Sequence, residues 1–180
     1  ALQDCAREHG LYYPVDLASG GSSQIGGNIA TNAGGIRVIR HGMTRDHVAG
    51  LKLVTGTGEL LDLNRGLVKN NTGYDLRHLV IGSEGTLGIV VEATMRLTRP
   101  PRDAVLLLLG LPDMQSVMQV LRTYRDAVEL SAFEFFCEAA LQKVVAHSRL
   151  RRPFATPAAY YALLELELEP GWLDGDVEAA

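Results

Sequence analysis

The stretch GGNIATNAGG, Gly26 to Gly35, holds four glycines and two asparagines in ten residues and carries no charged side chain. Helix and strand interiors avoid that composition, because glycine loses the most backbone freedom on ordering. What glycine offers in return is positive φ and close approach of another group to the main chain. Successive N–H groups in such a loop form a concave nest for anionic or polar atoms. Asn28, Thr31 and Asn32 add short hydrogen-bonding side chains, and apolar Ile29 and Ala30 give the loop a footing in a core. The stretch reads as a cradle for a polar cofactor or as a tight structural loop, and composition leaves both open. It is not a dinucleotide fingerprint, since GxGxxG between strand and helix is absent, nor a Walker loop, since no GK[ST] follows.

A second glycine cluster, GSEGTLGI from Gly82 to Ile89, follows the apolar run LVI, which reads as a strand. Glu84 is its only charge, able to accept bonds from a ribose or from backbone N–H groups. Two cradles in one short chain suggest one extended ligand touching both, and a dinucleotide is long enough. A third polar stretch, KNNTGYDL from Lys69 to Leu76, contains the sequon Asn70-Asn71-Thr72, read as ordinary loop because no secretion signal is visible. Tyr74 and Asp75 either orient a substrate or lock that loop.

The 180 residues are 47% hydrophobic and 21% charged, an ordinary globular balance. A net charge of −4 argues against nucleic acid or anionic lipid as the main partner, because both reward a basic surface. Cys5 and Cys137 match no metal spacing, so a reducing compartment and a cytoplasmic setting are expected. No apolar run approaches the roughly 20 residues of a membrane span. His9, His41, His47, His78 and His147 are scattered, so no metal site is expected, and no G-x-S-x-G elbow occurs.

Along the chain, Leu2, Cys5 and Ala6 make a short helical stripe with Gly10 as its cap, and residues 11–35 read as loop. Residues 48–63 read as two strands around Gly56-Thr57-Gly58, and 89–97 as another. RPPRD, Arg99 to Asp103, is the expected domain boundary, giving domains 1–100 and 101–180. After it, AVLLLLGL reads as a fully buried strand from its continuous apolar run. Met114, Val117, Met118, Leu121, Tyr124 and Val128 repeat at helical steps. SAFEFF is a strand, EAALQKVVAHS a helix and YYALLELELEP a strand. In that last strand Leu164, Leu166 and Leu168 are expected in a core, with Glu165, Glu167 and Glu169 in solvent. Same-face side chains stand nearly 7 Å apart, from a rise of about 3.3 Å per residue, too far to share one cation. The second segment is therefore β-α-β-α-β with an antiparallel or mixed sheet.

GGNIATNAGG, NNTGYDL and IGSEGTLGIV, in this order, resemble the flavin-binding domain of FAD-linked oxidases of the vanillyl-alcohol oxidase type. The similarity is strongest to the D-2-hydroxyacid dehydrogenase branch, which holds D-2-hydroxyglutarate and D-lactate dehydrogenases and glycolate oxidase subunits; LSAFEF adds to it, and the resemblance runs from about Pro14 to Phe136. It implies an α+β fold: the second half of a PCMH-type FAD-binding domain, then the first part of an α+β cap domain with an antiparallel sheet. It implies that Pro14, Gly20, Gly21 and Ser22 lie against the flavin. Gly26, Gly27, Asn28, Thr31, Asn32, Gly34 and Gly35 are implied to hold its isoalloxazine, ribityl and phosphate region, and Glu84, Gly85 and Ile89 to lie near the adenosine end.

The family's earlier glycine-rich pyrophosphate loop and later HxGDGNxH motif do not occur in this sequence, so the chain is expected to be a piece of a longer protein. Exposed sheet edges, an open groove and weak or absent FAD binding by the piece alone are expected to follow. By resemblance the parent oxidises a small D-2-hydroxy acid to the 2-oxo acid and passes electrons to an acceptor protein or quinone, and a homodimer stays open. No residue is assigned as catalytic base. A related FAD-linked oxidase of other substrate class, or a non-catalytic binding module that keeps the fold, remain the alternatives.

Overall fold

The computed structural model describes residues 1–63 and 66–168, and the chain divides into two compact units, Ala1–Pro100 and Pro101–Ala180. In the first, helix α1 (Leu2–Glu8) buries Ala6, and the chain then passes through buried Tyr13, Pro14 and Val15. Helix α2 (Ile25–Ala30) lies where loop was expected. Ile25 and Ile29 are one turn apart, so both reach the same core, and that burial outweighs the entropy of two helical glycines. Single turns α3 (Val38–His41) and α4 (Thr44–His47) lead into strand β1 (Val48–Val54).

β1 turns back at Gly58, whose φ of 85° suits glycine, into β2 (Leu60–Leu63). The LVI run is not a strand: helix α5 (Arg77–Val80) occupies it. A strand would bury Leu79 with Ile81; instead Leu79 is exposed while neighbouring Val80 and Ile81 are both buried, as a turn of helix followed by extended chain allows. Strand β3 (Ile89–Met95) then pairs with the free edge of β1, giving an antiparallel sheet of order β2-β1-β3. Ile29, Leu51, Leu53, Val80 and Ile81 meet in its core.

The second unit is strand β4 (Ala104–Leu111), helix α6 (Met114–Ala127), strand β5 (Leu130–Cys137), helix α7 (Glu138–Ser148) and strand β6 (Tyr160–Glu167). β6 lies between β4 and β5 and runs antiparallel to both, a split β-α-β arrangement. The α+β expectation with antiparallel sheets holds. The apolar run of β4 is not buried throughout: β4 is an edge strand, and Leu106 on its second face is 66% exposed while Val105, Leu107 and Leu109 join the core. The expectation for the glutamates also needs correction. Glu167 is buried and accepts a bond from Ser131 Oγ at 3.1 Å, with Arg102 Nε at 3.8 Å. Its strand is the central one, so neighbours flank its polar face as well. Glu169 lies outside the described residues.

At the far end of β6 the Tyr161 ring is stacked by Phe136 and Phe154, at centroid distances of 5.4 and 5.9 Å. Its hydroxyl donates to Glu138 (2.6 Å) and accepts from the Ala158 N–H, while Arg152 donates to both Glu138 oxygens at 2.9 Å. These bonds fasten residues 149–159 to the sheet. Donation by Arg152, then by Tyr161, pulls the Glu138 carboxyl from 4.5 down to about 2. A carboxyl lowered by folding stabilises above its unfolded pKa, and that contribution is lost as pH falls through the folded value. Acid titration of the unfolding free energy should therefore show a loss between pH 4.5 and about 2 that Glu138→Gln removes.

Candidate functional site

Residues flagged in GGNIATNAGG sit on and just beyond α2. Gly26, Gly27 and Asn28 are helical, Thr31 is the C-cap, and Asn32 turns the chain at φ 49°. None of Gly20, Gly21, Gly26, Gly27, Gly34 and Gly35 has positive φ, which corrects the nest expectation. The stretch spends its N–H groups internally: Asn28 N–H donates to Gln24 O, Thr31 to Gly27 O, Asn32 to Ile29 O and Ala33 to Asn28 O. The glycines serve instead by lacking a side chain. A Cβ on Gly27 would meet nothing within 4 Å, so this face of α2 is bare backbone. A Cβ on Gly34 would stand 3.0 Å from Val38 Cγ2, and one on Gly35 would overlap the Asp16 carbonyl oxygen. Gly34 and Gly35 therefore serve packing.

Pro14 is fully buried and anchors the strand-like entry to the loop, while Gly20, Gly21 and Ser22 form an exposed turn closed by N–H bonds from Gly20 to Leu17 O and from Ser22 to Ser19 O. Between that turn, α1 and the start of α2 lies a groove of about 530 Å³, lined among others by Leu2, Gln3, Leu17, Gly20, Gln24 and Asn28. Ser23 Oγ donates to Asn28 Oδ1 at 2.8 Å, leaving the Asn28 amide N–H groups without a described partner at the groove. The neighbouring Tyr13 hydroxyl is buried, and burial pushes its pKa up.

The second glycine cluster does use positive φ, at Gly82, Glu84, Gly85 and Gly88. Its Gly82 and Glu84 N–H groups donate to Ile29 O and Ala30 O at 3.1 and 2.8 Å, so it caps the end of α2. The two clusters are thus one assembly joined at Ile29–Asn32, and Glu84 and Gly85 are exposed beside that join. Ile89, 71% exposed, opens β3 opposite Val54. Of the flagged residues, the groove brings together Gly20 and Asn28; Thr31, Asn32, Glu84 and Gly85 gather at the other end of α2.

Several residues in this network carried no motif: Ser23, Thr44, whose buried hydroxyl donates to Ala33 O at 2.7 Å, and Arg45, whose N–H donates to Asn32 Oδ1 at 2.9 Å. The MTRDH run that holds two of them offered only a short polar segment. The third polar stretch is a locked loop: Asn70 Oδ1 accepts from Thr72 N–H, and Asp75 accepts from the Arg77 guanidinium. Tyr74 is 95% exposed. Among the described residues no three His, Cys, Asp or Glu side chains gather as metal ligands.

A groove of this size is within the range of about 300–1,000 Å³ that holds small ligands and cofactors. It is lined by amide and hydroxyl groups, a glycine, apolar side chains and the carboxylates of Asp4 and Asp16, with no Lys or Arg side chain among the lining residues. That donor set fits the isoalloxazine and ribityl parts of FAD, and not its doubly charged pyrophosphate.

Residues 1–64 match the model of an FAD binding domain, and residues 100–171 match the C-terminal domain of FAD linked oxidases. D-2-hydroxyglutarate dehydrogenase of Stutzerimonas stutzeri is 61% identical over 92% of the chain, and 36% of its own length is covered. The mitochondrial D-2-hydroxyglutarate dehydrogenase of Bos taurus is 41% identical over 92% of the chain and 30% of its own length. The chain thus spans about a third of the length of these relatives. A solved structure of alkyldihydroxyacetonephosphate synthase shares the fold, with a TM-score of 0.68 over 92% of the chain and 34% of that protein at 24% identity. With models of an FAD binding domain and of the FAD linked oxidase C-terminal domain matched in succession, the chain is similar in both of its units to FAD linked oxidases.

Proposed function

We propose that this chain supplies part of the flavin groove and part of the substrate-side domain of a D-2-hydroxyglutarate dehydrogenase. The observation that carries the reading is the 61% identity that runs through both units. Bound FAD supplies a two-electron acceptor, so that the hydroxy acid loses a hydride from its Cα and a proton from its hydroxyl and leaves as the 2-oxo acid. This chain's residues do the holding. Gly27 presents the bare face of α2 for close approach, Gly26 lets the helix pack against the Val90 carbonyl of β3, and the Asn28 amide donates at the groove. Gly20, Gly21 and Ser22 form the turn at its mouth. Thr31 and Asn32, with Glu84, Gly85 and Ile89, serve the end of the same cofactor beyond α2. Pro14, Gly34 and Gly35 act from behind by fixing the loop.

Electrons leave to an acceptor protein or quinone, and a homodimer belongs to this reading. Both cysteines are free thiols, the state that a reducing compartment maintains, and we place the protein in the cytoplasm on that ground. Anaerobic mixing of the purified flavin-loaded protein with D-2-hydroxyglutarate should bleach the visible flavin band, while the L enantiomer leaves it unchanged. Faster bleaching by D-lactate than by D-2-hydroxyglutarate overturns the substrate assignment, and no bleaching by any 2-hydroxy acid overturns the reaction class.

A further inference from the structure

The geometry points to Arg45 as the positioning residue that sets the distance and angle between the two glycine clusters, and through them the seat of the flavin; this rests on the function proposed above. Arg45 stands between two chain segments that share no strand pairing. Its backbone N–H donates to Asn32 Oδ1 at 2.9 Å, holding the residue whose positive φ turns the chain just beyond α2. Its guanidinium reaches the other way. One nitrogen donates to His78 O at 2.9 Å and lies 3.0 Å from His78 Nδ1, and the other donates to Ile81 O at 2.6 Å, the carbonyl just before Gly82.

Three partners around one planar group fix its orientation as well as its distance. Arginine supplies that fork, and lysine, with a compact ammonium on a flexible stem, does not. The fit at Gly82 is close: a Cβ there would stand 3.3 Å from the guanidinium and 3.4 Å from Asn32 Cβ, so Arg45, Asn32 and Gly82 pack at one point. The backbone bonds from Gly82 to Ile29 O and from Glu84 to Ala30 O start immediately beside it. His78 Nδ1 faces the same guanidinium nitrogen that its own carbonyl binds. Its Nε2 lies 3.6 Å from Asp75, which ties the NTGYDL loop to the same point. Among the described residues no carboxylate pairs with the Arg45 guanidinium, whose bonds go to carbonyls and one imidazole nitrogen. Coulomb pairing is therefore not what holds it; the acceptors' geometry is.

The test compares Arg45→Lys and Arg45→Ala with Leu51→Val. The last trims the same core while leaving every bond of Arg45 in place, and so calibrates what loss of stability alone does. The full protein is stripped of flavin, its thermal midpoint is measured, and FAD is titrated back by fluorescence quenching; visible circular dichroism of the bound flavin reports its seat. Both Arg45 variants should weaken FAD by about tenfold or more beyond a Leu51→Val protein of equal midpoint, and both should alter the dichroism, with lysine giving no rescue. Wild-type affinity and dichroism in Arg45→Lys overturn the positioning role. So does a loss no larger than that of the stability-matched core variant. If unsubstituted protein takes up no FAD, the proposed function itself has failed, and this role falls with it.

Discussion

Gly35→Ala should unfold the first unit's loop and abolish flavin retention, a large effect for one added methyl group. The added Cβ would overlap the Asp16 carbonyl oxygen and lie 2.7 and 2.9 Å from that residue's carbonyl carbon and nitrogen. All three are backbone atoms, so no side-chain rotation relieves the clash. The two segments are also bonded, Ile36 N–H to Asp16 O at 3.3 Å and Arg37 to the Asp16 carboxylate at 3.0 Å. Separating them therefore breaks bonds as well as packing. Overpacking commonly costs about 1–3 kcal/mol, and a backbone clash belongs at or above the top of that range. Denaturant unfolding of purified Gly35→Ala should show that loss. A midpoint equal to wild type would mean that the chain passes Asp16 elsewhere than described.

Arg77→Met should rank next, at about 3 kcal/mol. Arg77 is 8% exposed, and its guanidinium donates to the carbonyl oxygens of Val48 and Ala49 and to both Asp75 oxygens. Methionine keeps the stem and removes every donor, leaving buried acceptors at the start of β1. α5 and the loop before Gly82 would then lose their tie to the sheet. Donation by Arg77 also holds the Asp75 carboxyl below the usual carboxylate range. Folding lowers this pKa, so the pair stabilises above the ordinary carboxylate value and fades as pH falls through the folded one. Stability of wild type and Arg77→Met, followed by urea unfolding from neutral to acid pH, should thus converge on acidification. Parallel curves would assign the loss to packing alone.

Strong periodicity was legible. The Met114–Val128 repeat places α6, and alternating leucines in YYALLELELEP place β6. What the sequence concealed was long-range. α2 contains two glycines, and only burial of Ile25 and Ile29 by strands further along makes it a helix. Glu167 reads as solvated until β6 is known to lie between two neighbours. At the site, the glycine clusters were legible as special, yet the reason differed from residue to residue. Gly82 and Gly85 use positive φ, Gly27 offers bare backbone, and Gly35 yields to Asp16, a contact no local pattern encodes. Arg45 was silent for the same cause, because its partners come from two distant segments.

If the bare face of α2 is a flavin seat, Gly27→Leu should separate flavin binding from stability. Gly27 is exposed and helical with open space beyond it, so leucine should leave the flavin-free protein as stable as before or firmer by up to about 1 kcal/mol. A side chain standing where the cofactor lies should at the same time weaken FAD by at least about tenfold. Gly27→Leu should therefore keep equal or higher stability and lose flavin. Equal stability with undiminished FAD affinity would place the cofactor elsewhere and contradict a flavin seat on α2.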